Sequence, residues 1–294
     1  MLGKMIADMI MLPEKIPFEK TERLDSDGGF SEAFRAYHGD WKGEEFTLEG
    51  AEGVKIACEV IKNPADSGER KKVMLVCHGQ TVTRAGAVKY AKLFYDFGYS
   101  IVIFDERYFG KSEGEYCTLG LLEPEDIKHI IGYIRREFGE NCFLGLHGES
   151  MGAASALRLL DTETPDFVIA DCPFADLKLL IHDLAWEKAL LLAPLGQYFA
   201  RRIGLKRCGY DYTSVKPIDS VRQSNVPICF MHGNRDRLIN CKHSEMMKAV
   251  SNNPLSELHF FEESDHARSI FDYPADYERI CRAFILKIES ENGI

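Results

Sequence analysis

Ser150 stands between two glycines in Gly148-Glu149-Ser150-Met151-Gly152, after the apolar run CFLGLHG and before the helix-prone ASALRLL. A serine in a G-x-S-x-G turn between strand and helix is held in a strained backbone conformation with its hydroxyl presented outward, as a nucleophile requires. Glycines at 148 and 152 let strand and helix approach closely. A helix N-terminus at Ser150 would also favour developing negative charge. The pentapeptide alone is common, so its meaning depends on partners.

A serine hydroxyl is a weak nucleophile until a base takes its proton, and that base needs a carboxylate to hold its tautomer. Asp236 follows the strand-like VPICFMHG, and His266 follows the next such run, LHFFEES. The chain order Ser, Asp, His is the one used with this pentapeptide. Asp171, after FVIADC, is the rival acid, and Asp236 could instead cap the following helix. The other histidines compete weakly. His78 and His232 sit in strand-ending His-Gly turns, His147 precedes the pentapeptide and His259 lies within a strand, all read as packed. His38, His129, His182 and His243 are read as surface or packing residues. For the oxyanion of an acyl-transfer intermediate, the N–H groups of Gln80, after His78-Gly79, and of Met151 could converge on one oxygen.

Such residues need a framework that brings distant strand ends together. The segment VKIACEVI (54–61) alternates like an antiparallel strand. Beyond it come short apolar runs at 73–79, 101–107, 142–148, 167–173, 226–233 and 258–264, most separated by helical stretches. Continuous apolar runs suit buried parallel strands, and the alternation predicts an α/β doubly wound, mostly parallel sheet. Its ligand site should lie beyond the carboxyl ends of the strands, where His78, Asp105, Ser150, Asp171, Asp236 and His266 all fall. The apolar region 176–216 interrupts the alternation. It is expected to form a small helical cap, with Trp186, Leu190 and Tyr198 on the substrate wall, or else a further core-packing helix pair. Residues 1–50 are expected as a helical extension packed on an α/β body at 51–294.

Bulk properties remove other classes. The 294 residues can bury a large core, and a net charge of −10 without an extended basic patch argues against nucleic acid. Nine scattered cysteines without a C-x-x-C pair suggest a reducing compartment and no metal site. The opening MLGKMIADMIML is broken by Lys4 and Asp8, and no 18-residue apolar run exists, so a cytoplasmic protein without stable membrane insertion is expected. Gly-Lys-Ser at 110–112 lacks the leading glycine of a phosphate loop, since position 105 is aspartate, and no dinucleotide fingerprint occurs. No cofactor is expected.

From about Val54 onward the chain resembles the α/β-hydrolase fold family. Its HGQTVTRAGAVKYAKLFYDFGYSIVIFDERYFGKSEG stretch is similar to the branch of cell-surface and serine-aminopeptidase-like hydrolases. The resemblance implies Ser150 as nucleophile, Asp236 as acid, His266 as base, and Gln80 and Met151 as oxyanion donors. It also implies a D-x-R loop, matched by Asp105 and Arg107, the latter expected to brace loops beneath the elbow. Gln80 departs from the small or apolar residue commoner after His-Gly. The expected reaction is cleavage of a small or medium carboxylic ester through an acyl-enzyme. Peptidase, amidase or thioesterase action and a non-catalytic binding protein are the alternatives. Oligomeric state is not legible.

Overall fold

A computed structural model describes residues 2–41, 43–189 and 193–294, with side chains for all of these except 185–189 and 193. Its sheet comprises β1 Glu44–Glu49, β2 Lys55–Ile61, β3 Lys72–Cys77, β4 Ser100–Phe104, β5 Phe143–Glu149, β6 Phe167–Asp171, β7 Ile228–Gly233 and β8 Glu257–Phe261. The spatial order is β1-β2-β4-β3-β5-β6-β7-β8. β2 runs antiparallel to both β1 and β4, and the other neighbours are parallel. Every residue of β4 to β7 is buried, which is why those segments read as mostly apolar runs.

The helices are α1 Leu2–Met11, α2 Phe18–Asp25, α3 Ser31–His38, α4 Ala85–Asp96, α5 Glu123–Phe138, α6 Met151–Arg158, α7 Leu177–Ala189, α8 Ala193–Cys208, α9 Pro217–Gln223, α10 Lys242–Val250, α11 Ser269–Asp272 and α12 Pro274–Asn292. Strand side chains alternate faces. Met74, Val76, Ile103 and Ile169 meet Phe34, Tyr90, Phe94 and Phe284 of α3, α4 and α12. On the other face Val73, Leu75, Leu146 and Phe230 meet Ile127, Ile131, Leu157 and Met247 of α5, α6 and α10.

Two placements differ from expectation or extend it. Glu44–Glu49, assigned by its position to the helical extension, is instead the edge strand of the sheet. Phe46 stacks on Tyr133 of α5 at 4.0 Å, while the exposed acidic residues guard the open edge. The insert between β6 and β7 is helical, and α1 lies along α8 to complete a roof. A Cβ at Gly3 would fall 2.4 Å from Phe199 Cβ, and one at Gly196 would fall 2.6 Å from Leu2, so both glycines are needed for that close approach. Ile6, Ile10, Phe174, Leu177, Ile181 and Ile239 form a separate apolar core beneath the roof. Among the described residues no helix is long and apolar enough to cross a membrane. All nine cysteines are free; Cys208 is exposed, Cys241 half-buried and the rest buried.

Candidate active site

β5 ends at Glu149 and α6 begins at Met151, leaving Ser150 alone at the turn with φ 55° and ψ −112°. That conformation costs an L-residue energy and persists only because its surroundings enforce it. Ser150 N–H donates to Asp171 O at 2.8 Å. A Cβ at Gly148 would lie 2.5 Å from Ala153 Cα, and one at Gly152 would lie 2.4 Å from Cys77 O. The glycines are thus required by backbone packing on both sides of the serine.

The loops after β7 and β8 bring Asp236 and His266 to the same spot. His266 Nε2 lies 2.9 Å from Ser150 Oγ, and His266 Nδ1 lies 2.6 Å from Asp236 Oδ2. With Asp236 ionised, Nδ1–H donates to the carboxylate, leaving Nε2 to accept the serine proton. Asp236 Oδ1 accepts the N–H groups of Leu238 (2.9 Å) and Ile239 (2.7 Å). Burial alone would raise the Asp236 pKa, but hydrogen bonds from His232 and His266 overcome it and hold the carboxyl well below the usual range. His232 Nε2 is shared between Asp236 Oδ2 (3.2 Å) and Ile239 O (2.8 Å), while Ser244 Oγ–H donates to Nδ1 at 2.7 Å. At His266, burial disfavours the cation, but the Asp236 carboxylate outweighs it and raises the pKa above 6.5.

Asp171 has a different role. It neighbours Glu149 across β5 and β6, Tyr277 Oη–H donates to its Oδ2 at 3.2 Å, and Tyr90 Oη lies 3.4 Å from the same oxygen. Oδ1 is buried without a partner. Burial first, and the Glu149 charge second, push its pKa up to about 7. Glu149 itself accepts Tyr90 Oη–H at 2.6 Å and faces Lys89 Nζ at 3.4 Å. Buried Lys89 also faces Asp25 of α2 at 3.4 Å, so a charge from the N-terminal extension is tied to the residue before Ser150. Sequence reasoning missed this network. The available signal was a lysine at 89 sharing the buried helical row of Ala85 and Val88.

The turn after β3 faces the elbow. His78 Nδ1–H donates to Gly79 O (2.7 Å) and its Nε2 accepts Glu106 N–H (2.9 Å), with burial lowering its pKa, so it is a neutral brace. Among the described residues neither Gln80 N–H nor Met151 N–H donates within the protein, and both residues line the cavity beside Ser150. Arg107 sits below this turn, donating to Asp126 at 2.6 and 2.9 Å and to Ala51 O at 3.1 Å. Asp105 accepts the N–H groups of Arg84 (2.8 Å) and Lys111 (3.0 Å), which closes the following loop.

Ser150 and His266 open into a cavity of about 350 Å³ with walls from Met9, Ile10, Leu119, Leu180, Ile181 and Leu184. Of the residues expected there, Leu190 lies outside the described residues, as does the Trp186 side chain. Tyr198 is a correction. It is 52% exposed on α8, with its ring 5.4 Å from Phe199 and its hydroxyl 3.1 Å from Arg202 Nη1, and it does not border the cavity. The inner face of α8 is occupied by Gly196, Gln197 and Ala200, which turns the bulky neighbours outward. α7 and α1 supply the wall instead.

This sheet order, with an acid and a histidine gathered from later strand ends around a strained serine, defines an α/β-hydrolase fold. The chain belongs to the serine aminopeptidase, S33, family, whose profile matches residues 68–216. Over nearly its whole length it is similar to the uncharacterized protein YqkD of Bacillus subtilis, 27% identical over 291 residues, covering 97% of this chain and 92% of that one. It is also similar to lysophosphatidylserine lipase ABHD12 of Xenopus tropicalis, 27% identical over 183 residues, or 57% of this chain and 43% of that relative, so under half of the latter is spanned. Among solved structures, the Pyrococcus furiosus esterase Pf2001 matches with a TM-score of 0.68 at 21% identity, covering 86% of this chain and 95% of that one. Est1E from Butyrivibrio proteoclasticus, solved with ferulic acid, matches at 0.63 and 16% identity, covering 83% and 99%. At such identities the likeness establishes the fold.

Proposed function

We propose that this hydrolase cleaves carboxylic esters with an apolar acyl group, through an acyl-enzyme on Ser150. The observation that supports it is the unbroken hydrogen-bond chain from Asp236 through His266 to Ser150, opening on an apolar cavity. As Ser150 Oγ bonds to the ester carbon, its proton passes to His266 Nε2, and Asp236 stabilises the imidazolium. The N–H groups of Gln80 and Met151 stabilise the oxyanion. Collapse of the intermediate breaks the bond to the leaving alkoxide, which takes the proton from His266. Water then repeats the sequence on the acyl-enzyme, with His266 as base, and frees the carboxylic acid.

An aminopeptidase substrate would bring an ammonium that needs a free carboxylate. Glu149, the one acid lining this cavity among the described residues, is already engaged by Tyr90 and Lys89, which favours esters over peptides. The insert at about 176–216, with α1, serves as the cap over one hydrolase body. The names of the esterase and lipase relatives agree with this reading.

A fluorophosphonate probe tests it directly. Labelling should map to Ser150, and Ser150→Ala should lose both labelling and turnover of 4-nitrophenyl esters. A folded wild type that neither labels nor turns over these esters would sink the proposal.

A further inference from the structure

The Gln80 side chain does more than its backbone N–H requires. A helix leaves its last four carbonyls without internal partners. At the end of α1, Leu12 N–H takes Asp8 O (2.8 Å) and Cys117 N–H takes Met11 O (3.0 Å). The middle two go to one side chain: Gln80 Nε2–H donates to Met9 O at 3.2 Å and to Ile10 O at 3.3 Å. Gln80 therefore supplies half of the C-terminal cap of a helix 70 positions earlier in the chain. A second tie lies beside it, where Ile16 N–H donates to Thr81 O at 2.7 Å and Thr81 is held at φ 76°.

These ties bear on the reacting centre. Met9, Ile10, Gln80, Ser150 and His266 border the same cavity. The carbonyl end of a helix is its negative end, so uncapped carbonyls there would oppose a nearby oxyanion. On the opposite side His78 fixes Gly79 O from the core. The turn 79–81 is consequently gripped from below by the body and from above by the N-terminal segment.

Resting on the serine-hydrolase reading, we infer that Gln80 is a positioning residue whose side-chain amide latches α1 to the turn bearing its own N–H. The N–H is aligned for an oxyanion only with α1 docked, and docking simultaneously completes the acyl wall through Met9 and Ile10.

The test keeps the backbone donor and removes the latch. Gln80→Leu removes the polar group, and Gln80→Glu keeps the shape while losing the amide donors. Each should lower kcat on a short 4-nitrophenyl ester roughly ten-fold or more, as misplacement of a catalytic group does, with KM within about two-fold. Affinity for a trifluoromethyl ketone, which mimics the tetrahedral intermediate, should weaken in proportion to the loss of kcat/KM. Hydrogen exchange over residues 2–11 should quicken. Gly3→Val, a wedge between α1 and α8, should reproduce both effects, and adding Gln80→Leu to it should cost little more. Unchanged kcat and exchange in both Gln80 variants, or losses that multiply in the double variant, would overturn the latch. Inactivity of the wild type itself would overturn the hydrolytic reading and the positioning role together, whereas an active wild type with unaltered variants overturns the latch alone.

Discussion

Asp236 and Asp171 follow or end adjacent parallel strands at the same edge of the sheet, and either could have served His266 by position alone. Their surroundings separate them. Asp236 receives two imidazoles and two backbone N–H groups, so its charge survives burial. Asp171 receives one phenol, from Tyr277, keeps one oxygen without a partner and faces the Glu149 carboxylate, so its proton is retained to about pH 7. What keeps the carboxyl beside His266 ionised is thus the supply of donors rather than its place in the topology.

Substitution of each acid is the sharpest way to break this contrast. Asp236→Asn should lower kcat about 10⁴-fold, since the amide cannot hold the imidazole in its working tautomer, while circular dichroism stays native. Asp171→Asn should leave kcat within several-fold. Comparable losses from both would erase the distinction.

Next in size is a stability effect specific to Asp171. Its folded pKa of about 7 exceeds the ordinary 3.8, so the folded state holds an extra proton between those values. Its contribution is complete below about pH 4 and is lost as pH rises through 7. Asp171→Asn abolishes that titration. Urea unfolding at pH 5 and pH 8 should therefore favour the variant over wild type by at least about 1 kcal/mol more at the higher pH. A pH-independent difference would contradict the assignment.

The smallest effect is a displaced titration. In the proposed mechanism His266 must be neutral to act as base, and the Asp236 carboxylate raises its pKa. The acid limb of kcat/KM should have its midpoint above 6.5 in wild type and move down in residual Asp236→Asn activity. A limb that does not move would remove the electrostatic part of Asp236's role.

Much of this was legible beforehand because it follows from short-range patterns. Buried strands are mostly apolar, so β3 to β7 announce themselves, and Gly148 and Gly152 mark the turn they permit. Asp236 and His266, which the structure places beside Ser150, could be singled out because they follow strands in a known order. β1 was hidden because only Phe46 and Leu48 are apolar, and an edge strand can keep the rest polar. The bond between Asp25 and Lys89, and that between Gln80 and α1, were illegible because each joins segments far apart in the chain. Tyr198 misled because an aromatic residue in an apolar insert can face either way, and small residues at 196 and 200 had already claimed the inner face.

The distribution of thiols has a practical outcome. Seven of the nine cysteines are buried, which keeps reagents away from their thiols. Cys208, at the end of α8, is exposed, and its neighbour Arg207 is joined to Asp8 of α1 at 2.7 Å. A maleimide dye on native protein would accumulate there first, so the natural chain already carries a fluorescent reporter site at the seam of its roof, without any residue being replaced.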